Sequence, residues 1–511
     1  MRLTQLTKDL EVISKDCSGI GGASNCDPEI RAVTCRAQDA TEGSLFVAVK
    51  GFAADGHDFI DQAVANGAVG VVGEQSASSA PVMVRVPNSR KALAELAATF
   101  YGYPSQGMTV VGITGTNGKT TTSYLIESIL QAAGISVGVI GTIDYRYDGK
   151  HFNNPITTPE SLDLQRIMAD MREAGVTHVI MEVSSHALDL YRVHGCKFDI
   201  GVFTNFTQDH LDYHKDMAHY WACKRRLFVD LLPVFDVVTQ QRAVINVDAP
   251  KGRELSRELR LPHLTCGQLP GSDLSTLLAR FDLTGIHARV TTPLGRMELQ
   301  SPLVGRHNLE NILNAVGVAV ALGIPAETIA SGIRSLENVP GRLERIVNPY
   351  RRFVYVDYAH TPDALENALL ALRALTADRI ICLFGCGGDR DRAKRPAMGA
   401  IAARLSDLAV VTSDNPRTEE PDQIISEIVA GVHRECRLQY SQDKLHGGFR
   451  DKGYAVIPDR REAIRSTISA SRPGDTVLIA GKGHEPYQII GMERRPFDDR
   501  QEARKALAEL S

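Results

Sequence analysis

Apolar positions along the chain fall into two alternating patterns. Short unbroken apolar runs, the length of a fully buried strand, stand at 109–113, 136–140, 178–182 and 200–204, and again at 353–357, 379–384, 408–412 and 475–480. Between them, apolar residues recur at helical spacing near 120–133, 161–174, 217–231, 362–374, 396–405 and 421–433. Strands that alternate with helices predict parallel sheets covered on both faces. A shorter α/β pattern comes first, with strands at 44–49, 69–72 and 82–86 and helices at 58–66 and 91–100. The segment 270–302 reads as strands and turns, and 307–321 as a helix. Two turn-rich stretches, Tyr101-Gly-Tyr-Pro-Ser105 and Val339-Pro-Gly-Arg342, read as linkers. The expectation is an α/β protein of three domains: a small one over 1–104, a central one with a mostly parallel sheet over 105–338, and a doubly wound one over 339–511.

Length agrees, since 511 residues exceed a single core and a prior of about 150 residues per domain gives three. The composition, 43% hydrophobic and 23% charged, is ordinary for a globular chain. A net charge of −4 argues against a nucleic-acid or acidic-membrane surface. Nine scattered cysteines without a Cys-x-x-Cys pair suit free thiols in a reducing compartment, rather than a disulfide framework or a zinc site. Charges at Arg2, Lys8 and Asp9 interrupt the apolar core a signal peptide needs, and no apolar run reaches the ~18 residues of a spanning helix. A soluble, cytoplasmic monomer is expected.

The stretch richest in chemistry is Gly115-Thr-Asn-Gly-Lys-Thr-Thr121, which follows the first strand of the central pattern and opens a helix. Strand, glycine turn and helix aim backbone N–H groups at a phosphate. Lys119 would then reach the β/γ-phosphates and the Thr120 hydroxyl would hold Mg²⁺. Strict Walker spacing would put glycine where Ile113 stands, so this is a variant loop. Glu182 ends a strand about sixty residues later, where a carboxylate suits Mg²⁺. Ser184 and Arg192, in the polar stretch that follows, suit an anionic substrate. Asp209, His210, Asp212 and His214 crowd together. His210 and His214 mimic half a zinc site, but no Cys or Glu completes it at metalloprotease spacing, and Mg²⁺ with His210 is the preferred reading. Lys224 alone reads as a surface lysine. Asn311 and Asn314 are poor helix formers and are expected to face a ligand.

In the last third, polar loops leave the carboxyl ends of several strands: Asp357 to His360, Gly385 to Arg392, Asp414-Asn-Pro-Arg417 and Gly481-Lys-Gly-His-Glu485. Such loops converge on one crevice of a doubly wound sheet. Arg390 and Arg417 against Asp414 and Glu485 balance charge as a zwitterion requires, and Arg392 also suits carboxylate capture.

Six motifs in order resemble the Mur ligases, ATP-dependent amide-forming enzymes of peptidoglycan synthesis. They are Gly115-Thr-Asn-Gly-Lys-Thr120, Glu182-Val-Ser-Ser-His186, the stretch from Thr204 to His214, His307-Asn-x-x-Asn311, Gly341-Arg342 and Asp357-Tyr-Ala-His-Thr-Pro-Asp363. Within the family, Asp414-Asn-Pro-Arg417 with Gly481 to Glu485 resembles the branch that joins meso-2,6-diaminopimelate to UDP-N-acetylmuramoyl-L-alanyl-D-glutamate. The resemblance implies a nucleotide-sugar domain, a P-loop-type ATP domain and a Rossmann-like amino-acid domain that close on one another. It implies ATP and Mg²⁺ as cofactors. Gly115, Thr116, Asn117, Gly118, Lys119, Thr120, Thr121, Asn311, Arg342 and Asp357 would bind ATP. Thr120, Glu182, His210 and a carbamylated Lys224 would hold Mg²⁺, and Lys119, Glu182, His210 and Lys224 would be catalytic. Thr157, Thr158, Ser184 and Arg192 would hold the nucleotide-sugar peptide. Arg390, Asp414, Asn415, Pro416, Arg417, Gly481 and Glu485 would hold meso-diaminopimelate. The chain departs from the family pattern at Arg36-Ala37-Gln38, at Phe52-Ala53-Ala54 and at Leu190, so no uridine contact is assigned in the first domain. The alternatives are a lysine-adding relative, a folylpolyglutamate-synthase-like ligase and, from another class, a non-catalytic nucleotide switch.

Overall fold

The computed structural model describes residues 1–17, 26–52, 54–210, 213–232, 242–445 and 447–510. Asp212 and Ala53 therefore lie outside the described residues. The chain gathers into two compact units. One comprises Met1–Thr276, Thr291–Arg296 and Glu310–Gly332; the other comprises Leu277–Val290, Met297–Leu309 and Ile333–Ser511.

The first unit holds two sheets. One runs in the order Ser14–Cys17, Val82–Arg85, Ala68–Gly73, Ser44–Val47, Ala32–Thr34, parallel except at its first pair. The other is built on Ala243–Asn246, Ile200–Phe203, Thr109–Thr114, His178–Glu182 and Val137–Ile140, all parallel. An antiparallel hairpin, Asp144–Tyr147 and Lys150–Asn153, extends one edge. The strand order fixes the site. After Thr109–Thr114 the chain skips a place to Val137–Ile140 and returns to fill the gap with His178–Glu182. It then crosses to the other side with Ile200–Phe203. The loop after Thr109–Thr114 thus sits at the switch point, where a parallel sheet opens a crevice. The strand's residues 110–114 are buried, and the helix Lys119–Ala132 seats Leu125, Ile126, Ile129 and Leu130 in the core at helical spacing.

The second unit is a seven-stranded sheet in the order Glu344–Ile346, Phe353–Asp357, Thr476–Ala480, Ile380–Phe384, Leu408–Val411, Gly453–Val456, Gln439–Tyr440. Every pair is parallel except the first. Its last strand in the chain but one hairpin, Thr476–Ala480, inserts between Phe353–Asp357 and Ile380–Phe384. The loops after residues 357, 384, 411 and 480 therefore leave the same edge.

Two expectations need correction. Cys17 and Cys26 form a disulfide, because the end of the strand Ser14–Cys17 brings their Cα atoms to 5.7 Å, within bridging range. The other seven cysteines are free thiols. Lys224 is no surface residue: the helix Met217–Arg226 turns it inward and leaves it 2% exposed.

Candidate active site

The phosphate-type loop owes its path to two glycines. Gly115 has φ +148°, and a Cβ there would stand 1.9 Å from Thr204 Oγ1. Gly118, in the left-handed region at φ +85°, caps the helix, and a Cβ would stand 2.2 Å from Asn311 Oδ1. No other residue type fits either place. Asn311 thus packs beneath the loop, and its Oδ1 accepts from Thr122 Oγ1 at 3.5 Å. Thr116 and Asn117 are tied to the loop after the strand Ile200–Phe203: Thr116 N donates to Asn205 O and Asn117 N to Asn205 Oδ1 at 2.8 Å. Thr121 is buried in the first turn of the helix.

Two lysines serve this loop. Lys119 Nζ donates to the carbonyls of Gly115 and Thr116, each at 2.9 Å. Lys224 Nζ donates to the same Gly115 carbonyl at 2.7 Å and lies 4.5 Å from the centre of the Tyr220 ring. Burial, reinforced by the nearby Lys119 charge, lowers the pKa of Lys224 well below that of an ordinary lysine. Burial thus favours the neutral, nucleophilic amine more than it is favoured on a surface lysine.

Glu182, 1% exposed, is the acidic centre. Its Oε2 accepts from Thr120 Oγ1 at 3.0 Å and Thr142 Oγ1 at 2.9 Å, and its Oε1 accepts from Thr142 N at 3.0 Å. Gly141 makes room, since a Cβ there would stand 2.5 Å from Glu182 Oε1. This all-oxygen set of one carboxylate and two hydroxyls fits a hard cation such as Mg²⁺. His210, with φ +53°, is half exposed, beside Asp209 and edge-on to the rings of His186 and Tyr220.

The residues expected to hold an anionic substrate do meet. Thr157 Oγ1 lies 3.1 Å from Thr142 Oγ1, and Thr158 Oγ1 donates to the Glu182 carbonyl at 2.8 Å. Ser184 N donates to Thr158 Oγ1, and Ser184 caps the short helix Ser185–Asp189. Arg192 donates to Thr158 O at 3.2 Å and pairs with Glu160 at 2.8 Å.

In the second unit the four loops knit into one edge. Lys482, fully buried, donates to Asn415 Oδ1 at 2.9 Å and pairs with Glu485 at 3.4 Å and Asp414 at 3.6 Å. Asn415 Nδ2 donates to Glu485 at 3.0 Å, and Gly388 N donates to Asn415 O. Arg417, left-handed at φ +53°, donates from Nη1 to Gly388 O at 2.7 Å. A Cβ on Gly388 would collide with Pro416 O at 1.9 Å, so the two loops approach as closely as glycine allows. Arg390 is exposed and donates to Asp389 O. Gly481 N donates to Asp357 O at 3.1 Å. Asp357 accepts from Leu343 N at 2.7 Å and Ala359 N at 2.8 Å; burial raises its pKa against the pull of Arg342. Arg342 lies over the Tyr358 ring at 5.3 Å.

Three family models match in chain order: Mur ligase family, catalytic domain, over 29–101; Mur ligase middle domain over 113–319; and Mur ligase, glutamate ligase domain over 341–483. The chain belongs to the Mur ligase family. A UDP-N-acetylmuramoyl-L-alanyl-D-glutamate–2,6-diaminopimelate ligase of Geobacter metallireducens is 50% identical over 94% of this chain and 95% of that one. The ligase of the same name from Geobacter sulfurreducens is 46% identical over 97% of both. A solved structure with that name superposes with a TM-score of 0.68 at 31% identity, covering 94% of this chain and 95% of that one. A MurF ligase of Thermotoga maritima in complex with ADP shares the fold, with a TM-score of 0.61 at 20% identity, covering 94% and 99%.

Several residues that line the candidate site of this Mur ligase escape a reading of the sequence. Thr142 bridges Glu182 and Thr157, and its only signal is a glycine-threonine pair after a strand. Tyr220 and Lys482 are hidden for the opposite reasons: one reads as core and the other as surface. Asn314 bonds to Glu310 O and to Cys266 in the interior rather than facing a ligand site, and Arg392 pairs with Glu427. His214 faces His219 and Cys223.

Proposed function

We propose that this chain is an ATP-dependent ligase that joins meso-2,6-diaminopimelate to UDP-N-acetylmuramoyl-L-alanyl-D-glutamate in peptidoglycan precursor synthesis. The observation that carries the reading is near-full-length identity of 50% and 46% to ligases of that name. The charge balance of Arg390 and Arg417 against Asp414 and Glu485 supports an amino acid with a second carboxylate. Three functional parts, 1–104, 105–338 and 339–511, match the division of labour this reaction needs.

A carboxylate resists a nucleophile because of its own charge and its poor leaving group. Transfer of the ATP γ-phosphoryl converts the glutamyl carboxylate into an acyl phosphate. The amine attacks, and phosphate leaves the tetrahedral intermediate. In this scheme the 115–121 loop and Lys119 cradle the triphosphate and stabilise charge on it. Lys119 would exchange the two loop carbonyls for phosphate oxygens. Asn311, Arg342 and Asp357 serve the nucleoside. Thr157, Thr158, Ser184 and Arg192 hold the acceptor peptide. Thr120, Glu182 and His210 would hold Mg²⁺, which when bound neutralises phosphate charge. Burial favours the neutral form of the Lys224 amine, the form that takes up CO₂, and the resulting carbamate would add a carboxylate-like oxygen to that set.

Phosphate release measured with ATP and each substrate, singly and together, tests the reading. Release is expected only with both substrates, and a mass gain of the sugar peptide equal to diaminopimelate minus water should accompany it. Release with lysine as readily as with diaminopimelate, or with ATP alone, would overturn it.

A further inference from the structure

We propose that His214, His219 and Cys223 form a binding site for a borderline-soft divalent cation, with Zn²⁺ the best-matched ion. One donor atom from each of the three lies within 4.8 Å of the other two. His214 Nδ1 is 3.3 Å from His219 Nδ1 and 3.9 Å from Cys223 Sγ, and His219 Nε2 is 3.8 Å from the same sulfur. Tetrahedral zinc, with Zn–N of about 2.0–2.1 Å and Zn–S of about 2.3 Å, needs donor separations of roughly 3.3–3.6 Å. His219 offers one nitrogen at a time, and with one donor from each residue the separations reach up to 4.8 Å, so closing on an ion needs a shift of about 1 Å, available to the partly exposed His219 ring.

The surroundings are those of a ligand set. His214 has its Nε2 engaged with Ser185 Oγ at 2.9 Å, which leaves Nδ1 directed at the cluster. Asp189 Oδ1 is 3.6 Å from Cys223 Sγ and 3.7 Å from His219 Nε2, so a fourth donor stands within reach. Its other oxygen is fixed by the Tyr213 hydroxyl at 2.7 Å. His219 and Cys223 are four residues apart on the helix Met217–Arg226 and share one face. That helix is anchored where His219 lies, because Asp216 Oδ1 accepts from His219 N at 2.7 Å. His214 and Cys223 are buried, whereas the His219 side chain is 37% exposed and gives an ion a way in.

Nitrogen and sulfur donors set this place apart from the oxygen set around Glu182, and they select zinc over magnesium. Binding replaces the Cys223 S–H proton with the metal and releases that proton to solvent. Occupancy would also tie Cys223, the neighbour of Lys224, to the loop that carries His214.

Cobalt is the probe. Full-length protein stripped with a chelator and kept in excess Mg²⁺, to fill the oxygen set, is titrated with Co²⁺. One equivalent should produce a thiolate-to-cobalt charge-transfer absorption in the near ultraviolet, and one equivalent of Zn²⁺ should abolish it. Cys223→Ser should remove the band. His219→Asn keeps the thiol and alters a partly exposed position, and it should weaken Co²⁺ binding at least about tenfold. Absence of the band in the wild-type protein, its survival in Cys223→Ser, or unchanged affinity in His219→Asn would each overturn the proposal.

Discussion

The two sites are built from different materials. Around the 115–121 loop the first unit uses backbone and neutral hydroxyls. Two lysines rest on loop carbonyls, and a single carboxylate is held by threonines. The second unit uses charges: a buried lysine between two carboxylates, and arginines that rim the edge. A triphosphate is recognised by many small N–H dipoles and a cation, so geometry dominates. An amino acid with charges of both signs is recognised by countercharges, so composition dominates. The contrast predicts that damage to the first site should abolish chemistry whichever amine is offered, and damage to the second should change which amine is accepted.

The largest break should come from Lys119→Met. Losing the cation at the phosphates should lower kcat by about 10³-fold or more. Diaminopimelate binding, read by calorimetry on the same variant, should stay within a few-fold of the parent. If both fall together, the sites are not separable in the way argued.

Next comes Arg417→Ala. A charged hydrogen bond to a buried partner is worth about 1.5–3 kcal/mol, so the KM for diaminopimelate should rise about 10–100-fold while the KM for ATP holds. Selectivity against L-lysine should shrink by a similar factor if the proposed pairing holds, because lysine lacks the second carboxylate that this guanidinium would meet. An unchanged diaminopimelate KM would remove Arg417 from the specificity edge.

A third comparison sets glycine against glycine. Ala at 115 meets Thr204 Oγ1 at 1.9 Å with φ +148°, whereas Ala at 481 meets nothing closer than Asp414 at 3.7 Å with φ +116°. Gly115→Ala should cost about 1–3 kcal/mol and displace the loop, and Gly481→Ala should cost the lower end of that range. Thermal melts should order the two, and nucleotide affinity should fall in the first alone.

The same contrast explains what the sequence made legible. Strand and helix positions emerged from apolar periodicity because both sheets are buried on two faces, so each strand reads as an unbroken apolar run. The phosphate-type loop is legible because its shape demands glycines at 115 and 118, and glycines are visible in a sequence. Short or half-exposed strands such as Ser14–Cys17, Glu344–Ile346 and the hairpin at 487–496 carry no such run and leave no periodic signal. Side-chain burial is harder to read. Lys224 and Lys482 are a polar residue type held in the interior by tertiary packing, and local pattern contains no trace of that. The resemblance to a family implies Lys224 as a site residue, where the residue type taken alone reads as a surface lysine. His219 and Cys223, four apart on a helix, carry the same spacing signal as His210 and His214, but the sequence does not show that His214 meets them.

The smallest effect tests whether the second edge depends on charge. Arg395, fully buried, is bonded to Glu419 Oε1 at 2.8 Å and Oε2 at 2.9 Å, and Glu419 in turn accepts from Asp389 N at 2.6 Å, beside Arg390. Held by Arg395 first and by that amide second, the Glu419 carboxyl has its pKa lowered to about 2 from an ordinary 4.5. A depressed carboxylate contributes stability that is whole above pH 4.5 and is lost as pH falls toward 2. Glu419→Gln should therefore be less stable than the parent at neutral pH, and the gap in urea midpoint should close as the solution is acidified through that window. The 115–121 loop, built on backbone, should show no matching change in Glu419→Gln when its amide exchange is followed over the same pH range. A gap in midpoint that ignores pH would mean that Glu419 supports the loop by shape rather than by charge.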